Sequence, residues 1–215
     1  MPMDTKAYVR PNARATDSPE VVRCSWCGTD PLYQAYHDYQ WGRPEPSSQG
    51  LFAKLCLDGQ QAGLSWITIL RKQPGYEAAF HDFDPVRIAA MNEDDVERLM
   101  QNPAIIRNRL KIRSVIGNAR AFLELERKLG PFNRFLWHYV DGRPLQNHWQ
   151  SIGEVPATTA LSDRLAKDLK KLGFSFVGST IVYAFMQATG LVNDHLVNCV
   201  ARDACVAEGD KFRLD

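Results

Sequence analysis

The chain has almost no net charge: 26 lysines and arginines stand against 25 aspartates and glutamates in 215 residues, leaving +1. That excludes a protein that holds nucleic acid by bulk positive charge, so a DNA partner would have to be met by a local basic patch. No apolar run reaches the roughly 20 residues that a membrane-spanning helix needs. The opening MPMDTKAYVRPNARATDSPE also lacks the apolar core of a secretory signal. The expected compartment is the cytoplasm, with no membrane partner. Cysteine is scarce and its count is odd, five, so at least one thiol has no intramolecular disulfide partner. Free thiols or metal ligation are expected rather than a disulfide framework. Internal repeats and low-complexity tracts are missing, and strand-like alternation is nearly so.

What is present is apolar content of 45%, enough for a sizeable core, and a succession of helix signals. Residues 1–22 are polar, carry Pro2, Pro11 and Pro19 and show no periodicity, so they read as a flexible extension. The folded domain is expected over 23–203, as two helical lobes in one unit, with 204–215 as a tail. Asp30-Pro31 and Asp84-Pro85 each put a capping side chain before a proline at the first helical position. Asn92-Glu93-Asp94-Asp95 opens a helix with a cap and with acids in the first turn, where the helix dipole favours them. From Ile106 to Leu129 the residues Ile112, Val115, Ile116, Ala119, Phe122, Leu123 and Leu125 recur at helical spacing, and Gly130-Pro131 ends the run. Further helices are read from Ser162 to Leu172, across STIVYAFMQATG, and around His195 to Cys199. The predicted fold class is all-α.

Four constellations could carry chemistry. Tyr33, His37 and Trp41 share one helix face with Tyr36 beside them, a pattern that is half-buried packing as often as a binding wall. Cys24 lies thirteen residues before His37, and His195 and Cys199 stand four apart, so the four together make a Cys2His2 set of the kind that closes around structural zinc. Cys24-Ser-Trp-Cys27 is also a CxxC, which leaves open a redox pair or Cys27 as an alternative ligand. In LKKLGFSFVGST, a helix ending at Lys170, Lys171 and Gly173 is followed by a turn closing on Gly178 and a further helix. This reads either as a helix-hairpin-helix whose backbone N–H groups meet a DNA phosphate or as an ordinary αα-hairpin. Finally, LDGQQAGLSW offers Asp58 as an acceptor, Trp66 as a stacking face, and Gln61, Gly63 and Leu64 as a turn able to enter the gap left by a flipped base.

The segments RCSW, DPLYQAYHDYQWG, LDGQQAGLSWITIL and FVGSTIVYAFMQATGLVNDH, followed by Cys199, occur in this order. Together they resemble the DNA-3-methyladenine glycosylase I family, the zinc-containing branch of the helix-hairpin-helix glycosylases, from about Arg23 to Cys199. The resemblance implies an all-α fold with one structural zinc per chain on Cys24, His37, His195 and Cys199. It implies that Trp66 stacks on the excised base within a pocket built by Trp26, Tyr33, Tyr36 and Trp41. Leu64, with Gln61 and Gly63, falls at the family's DNA plug, and the hairpin carrying Lys170, Lys171, Gly173 and Gly178 falls where the family grips the backbone. The implied partner is duplex DNA carrying alkylated bases, with no obligatory protein partner.

One departure matters: Asp58 stands where the family pattern has a glutamate, one methylene longer. Asp58 is expected to keep the recognition role, with an altered lesion preference as the neighbouring possibility and a non-catalytic damaged-DNA binder as the alternative from another class. Asp194, next to His195, is expected to cap the last helix or to orient His195. No lysine lies within the pocket motifs, so water rather than an enzyme amine is expected to attack the sugar, leaving the abasic site uncut.

Overall fold

The computed structural model describes residues 21–214; the reading of residues 1–20 as an extension lies outside the described residues. Ten α-helices follow one another among the described residues: α1 (Pro31–Tyr39), α2 (Ser48–Gln61), α3 (Trp66–Ala79), α4 (Pro85–Ala89), α5 (Glu93–Met100), α6 (Arg109–Leu129), α7 (Phe132–Trp137), α8 (Ala160–Lys171), α9 (Ser179–Ala188) and α10 (Arg202–Lys211). The only strand pairing among these residues is a two-residue parallel bridge, β1 (Leu145–Gln146) on β2 (Val192–Asn193).

Local chemistry sets where the helices begin. The Asp30 carboxylate accepts from the backbone N–H groups of Leu32 and Tyr33, and Asp84 does the same for Val86 and Arg87. Asn92 and Asp95 form a reciprocal capping box on α5. Helix α6 starts at Arg109 rather than Ile106, because the Asn108 side chain accepts from Lys111 N–H and fixes the first turn there. Its apolar stripe of Ile112, Val115, Ile116, Ala119, Phe122 and Leu125 is buried.

Helix α2 is the hub of the core, packing against α3, α6, α7 and α9. Phe52 of α2, Phe122 of α6 and Phe132 of α7 form a ring series with centroids 5.1 Å apart at each step. Each such burial is worth about 1.5–3 kcal/mol. This packing fixes the end of α2, which carries Asp58, against the hairpin joining α8 and α9.

Two sequence expectations change. His195 to Cys199 is not helical: β2 leads into an extended stretch and turns, in which Asn193 Oδ1 accepts from His195 N–H and Val197 N–H donates to the Trp149 carbonyl. Pairing with the segment after β1 supplies the backbone partners that a helix would otherwise supply. Residues 204–215 are not a tail either, since most of them belong to α10. There Cys205 and Gly209 are buried, and the Phe212 ring lies 4.2 Å from that of Trp137. At the other end, the Val22 carbonyl accepts from Val200 N–H, tying the last residues assigned to the extension to the domain.

Candidate active site and metal centre

The cysteine and histidine cluster joins the two ends of the domain. Cys24, His37, His195 and Cys199 are all buried, and their ligand atoms lie within 4.8 Å of one another. Cys199 Sγ is 3.4 Å from His37 Nε2 and 3.3 Å from His195 Nδ1, and Cys24 Sγ is 3.7 Å from His195 Nδ1. The outer nitrogens are held from behind. His37 Nδ1 meets Asp38 Oδ1 at 2.7 Å, and His195 Nε2 meets the Trp41 carbonyl at 3.2 Å. With those N–H groups spoken for, Nδ1 of His195 and Nε2 of His37 face the cluster, the latter also accepting from Cys24 N–H at 3.4 Å.

Arg23 in turn grips Asp38 with two nitrogens, at 2.9 and 2.8 Å. Against the penalty of its partial burial, Arg23 and His37 hold Asp38 below the usual carboxylate range. The Cys24 thiol beside it, opposed by burial but helped by His195 and His37, pulls Cys199 well down toward the thiolate. Two sulfurs, two imidazoles and this spacing fit a tetrahedral metal ion. Cys27 is outside the set: its thiol turns to the Cys24 carbonyl at 3.2 Å.

The cluster backs an aromatic wall. Trp26 follows Cys24 on a short 3-10 turn, and Tyr33, Tyr36 and His37 share α1. The Trp26 ring packs edge-on against Tyr33 at 5.2 Å, His37 at 5.2 Å and Trp41 at 5.0 Å, and Trp41 meets His195 at 4.6 Å. On the other side of this wall is a cavity of about 340 Å³ lined by Trp26, Tyr33, Tyr36, Trp41, Asp58 and Trp66, together with Lys54, Gln61, Gln187 and Asp194. Burial, reinforced by the Asp58 charge, pushes the Tyr36 hydroxyl well above its ordinary range, so it remains a neutral phenol.

Asp58 is in the last turn of α2, 2% exposed, and pairs with Lys54 one turn earlier. Its second oxygen, Oδ2, is buried without a hydrogen-bond partner, and so is Trp66 Nε1. One acceptor and one donor are therefore left for whatever enters the cavity.

The turn between α2 and α3 is built to hold Leu64 outward. Lys111 Nζ donates to the carbonyls of Gln60 and Ala62 at 2.8 and 2.7 Å, closing the negative end of α2. Gly63 has φ +75°, a conformation that favours glycine, and Leu64 is 39% exposed at the tip. Gly59 answers a different need. A Cβ there would come within 3.2 Å of Phe176 Cβ on the α8–α9 turn, so the hairpin lies directly on α2.

Asn118 of α6 clamps the same turn, accepting from Ser175 N–H at 2.8 Å and donating to the Ser175 carbonyl at 3.1 Å. Gly173 has φ +94° and Gly178 caps α9 with no side chain over the helix end. Lys170 and Lys171 are exposed beside it. The hairpin residues and the pocket residues thus belong to one continuous face around the end of α2.

Several participants were not legible in the motifs. Lys54 lines the cavity, although no lysine lies within the pocket motifs. It lies outside the motif segments, and only its i, i+4 relation to Asp58 signals it. Asp194 neither caps a helix nor touches the His195 ring. Its carboxylate accepts from Asn147, Trp149, Tyr183 and Gln187 at 2.6–2.8 Å, pinning the loop after β1 to α9 at the cavity wall. Asp38, adjacent to His37, is the partner that sequence spacing could have offered for orienting that histidine.

Comparison with known proteins agrees with this geometry. A family model described as methyladenine glycosylase matches residues 26–202. The chain is 54% identical over 191 residues to DNA-3-methyladenine glycosylase 1 of Escherichia coli (strain K12), covering 89% of this chain and 100% of that one. A crystal structure of 3-methyladenine DNA glycosylase I superposes with a TM-score of 0.83 at 56% identity, covering 84% of this chain and 100% of the other. A 3-methyladenine DNA glycosylase I from Staphylococcus aureus, whose structure addresses 3-methyladenine recognition, superposes with a TM-score of 0.82 at 39% identity, over 84% of this chain and 96% of that one. A helical fold of this topology, its aromatic cavity and the match over 26–202 lead to one conclusion: the chain belongs to the methyladenine glycosylase family.

Proposed function

We propose that this protein is a DNA-3-methyladenine glycosylase, which hydrolyses the N-glycosidic bond of 3-methyladenine in alkylated duplex DNA. The observation that carries the reading is the buried aromatic cavity with Asp58 Oδ2 and Trp66 Nε1 left unpaired in its wall. Methylation at N3 puts positive charge on the purine and weakens its bond to the sugar, so the base is a good leaving group before the enzyme acts. Selection then supplies much of the catalysis. The faces of Trp66, Tyr33 and Tyr36 favour a cationic base over a neutral one by a cation–π contribution of about 0.5–2 kcal/mol per contact. Asp58 adds a charge-assisted hydrogen bond to the exocyclic amine. Being shorter than glutamate, Asp58 reaches the base edge directly or through one bridging water.

Flipping opens a gap in the duplex, and Leu64, carried on the turn of Gln61 and Gly63, fills it. The hairpin residues Lys170, Lys171, Gly173 and Gly178 take the phosphates beside it. Water attacks the sugar and the abasic strand is left intact. Lys54 is the one amine among the residues lining the cavity, and the borohydride arm of the test below asks whether it attacks the sugar.

Cys24, His37, His195 and Cys199 hold one zinc ion, whose four protein ligands leave no open position for catalysis. When bound, zinc would staple Cys24 and the last turn of α1 to the segment after β2. The residues of this chain do the rest: Trp26 and Trp41 transmit the cluster's position to the pocket wall. In the test, the protein is incubated with N-methylated duplex DNA and the released bases are separated. 3-Methyladenine should dominate the chromatogram, the strand should remain uncut, and borohydride should trap no covalent adduct. Binding of damaged duplex with no base released would sink the proposal in favour of a binding module.

A further inference from the structure

Lys54 stands where the excision reading needs a substrate. Its ammonium lies 3.9 Å from the centroid of the Trp66 ring and pairs with Asp58. An electron-rich face and a carboxylate are the two contacts through which the cavity would favour a cationic purine. The pair has largely left water, with side chains 16% and 2% exposed. Burial pushes Lys54 below its ordinary range and Asp58 above its own, while the charge of each opposes the shift of the other.

Lys54 also lines a second cavity, of about 370 Å³, which shares Tyr36, Trp66 and Ala188 with the first. Glu45 lines that second cavity, with one carboxylate oxygen accepting from Ser47 N–H at 2.8 Å.

We propose that Lys54 is a placeholder at the base site: its ammonium stands in for the cationic base in the free protein, and a purine enters by displacing it toward Glu45 in the adjoining cavity. The identity of the ligand rests on the excision reading above. Discrimination follows from charge balance. A cationic purine that displaces Lys54 leaves Asp58 again facing a cation. A neutral purine leaves Asp58 buried without one, and an uncompensated buried carboxylate is strongly unfavourable. Displacing Lys54 costs either purine the same pair with Asp58, so the lysine holds both out of the cavity, and only a cationic base restores a cation beside Asp58.

The test uses two probes with no glycosidic bond to break: neutral 9-methyladenine, and 3,9-dimethyladeninium, the same ring with one more methyl and a fixed positive charge. Calorimetry gives dissociation constants for both on the full-length metal-loaded protein and on Lys54→Met and Lys54→Gln, with thermal melting to establish that each variant is folded. Both constants are expected to fall about tenfold in both variants, because each probe is spared the displacement, whereas their ratio, neutral over charged, should stay within about twofold since Asp58 sets it. Constants that do not fall, a ratio that collapses, or variants that bind neither probe overturn the proposal.

Glu45→Gln should weaken 3,9-dimethyladeninium binding in the parent but not in the Lys54→Met background. Equal weakening in both overturns the displacement route. Base release from methylated DNA by the parent is measured alongside: its absence sinks the excision reading, whereas the probe constants alone decide the role of Lys54.

Discussion

The cluster and the cavity share a wall of Trp26 and Trp41, yet they treat their polar atoms in opposite ways. At the cluster both outer imidazole nitrogens have partners, and Asp38 behind His37 is itself gripped by Arg23. In the cavity, a carboxylate oxygen and an indole N–H are left without partners. Among the described residues three buried side-chain atoms have no hydrogen bond, and two of them are these. An unsatisfied buried group costs about 1–3 kcal/mol, so such atoms persist where something else completes them. A saturated site holds the fold together, and an unsaturated one keeps capacity for a ligand.

The sharpest way to break this contrast is to attack the saturated site. Cys199→Ala, or removal of the metal by a strong chelator, is expected to cost several kcal/mol and to lower the melting temperature by about 10 °C or more. Base release should then fail only because the domain loosens. A melting curve unmoved by either treatment would show that the cluster is not the staple described here.

Attacking the unsaturated site should do the reverse. Asp58→Asn is expected to reduce 3-methyladenine release by about a hundredfold, the scale of losing one charge-directed contact to the reacting group. Its melting temperature should shift by no more than about 4 °C. Release as fast as the parent's would remove Asp58 from the mechanism and leave the aromatic walls alone.

The smallest effect sharpens where the ligand side of the comparison ends. Leu64→Ala removes an exposed side chain, so stability should stay within about 0.5 kcal/mol. Affinity for a duplex with an abasic site is expected to fall about tenfold, the worth of one partly buried leucine. Binding of free purine probes by this variant should not change, since Leu64 does not line the cavity.

Much of the fold was legible because its signals are local. Asp30-Pro31, Asp84-Pro85 and Asn92-Asp95 each act on backbone N–H groups two or three residues away, so the sequence alone reveals them. The segment from His195 to Cys199 misled because four-residue spacing is shared by a helix face and by this turn. The choice between them was made by hydrogen bonds to Trp149 and Val22, distant in sequence. The run 204–215 misled because its contacts are Trp137 and the chain around Trp41, neither of them nearby in sequence. The candidate site shows the same division. Trp66, Tyr36 and Asp58 stood out by chemical type, while Lys54 was hidden among ordinary surface-spaced lysines until the cavity closed around it.

By itself the sequence determined the helices, their caps, the exclusion of a membrane span and the chemical identities of the groups offered to a ligand. Those properties depend on interactions within one or two helical turns, or on no folding at all. Only the tertiary structure decided that Cys24 meets His195 across 171 positions, that Asp194 is locked by four donors and that the Gly59 turn of α2 bears the hairpin. It also decided that Asp58 is already paired with a cation of the chain's own. Each of those is set by which distant segments share the core, and that depends on how whole faces pack together.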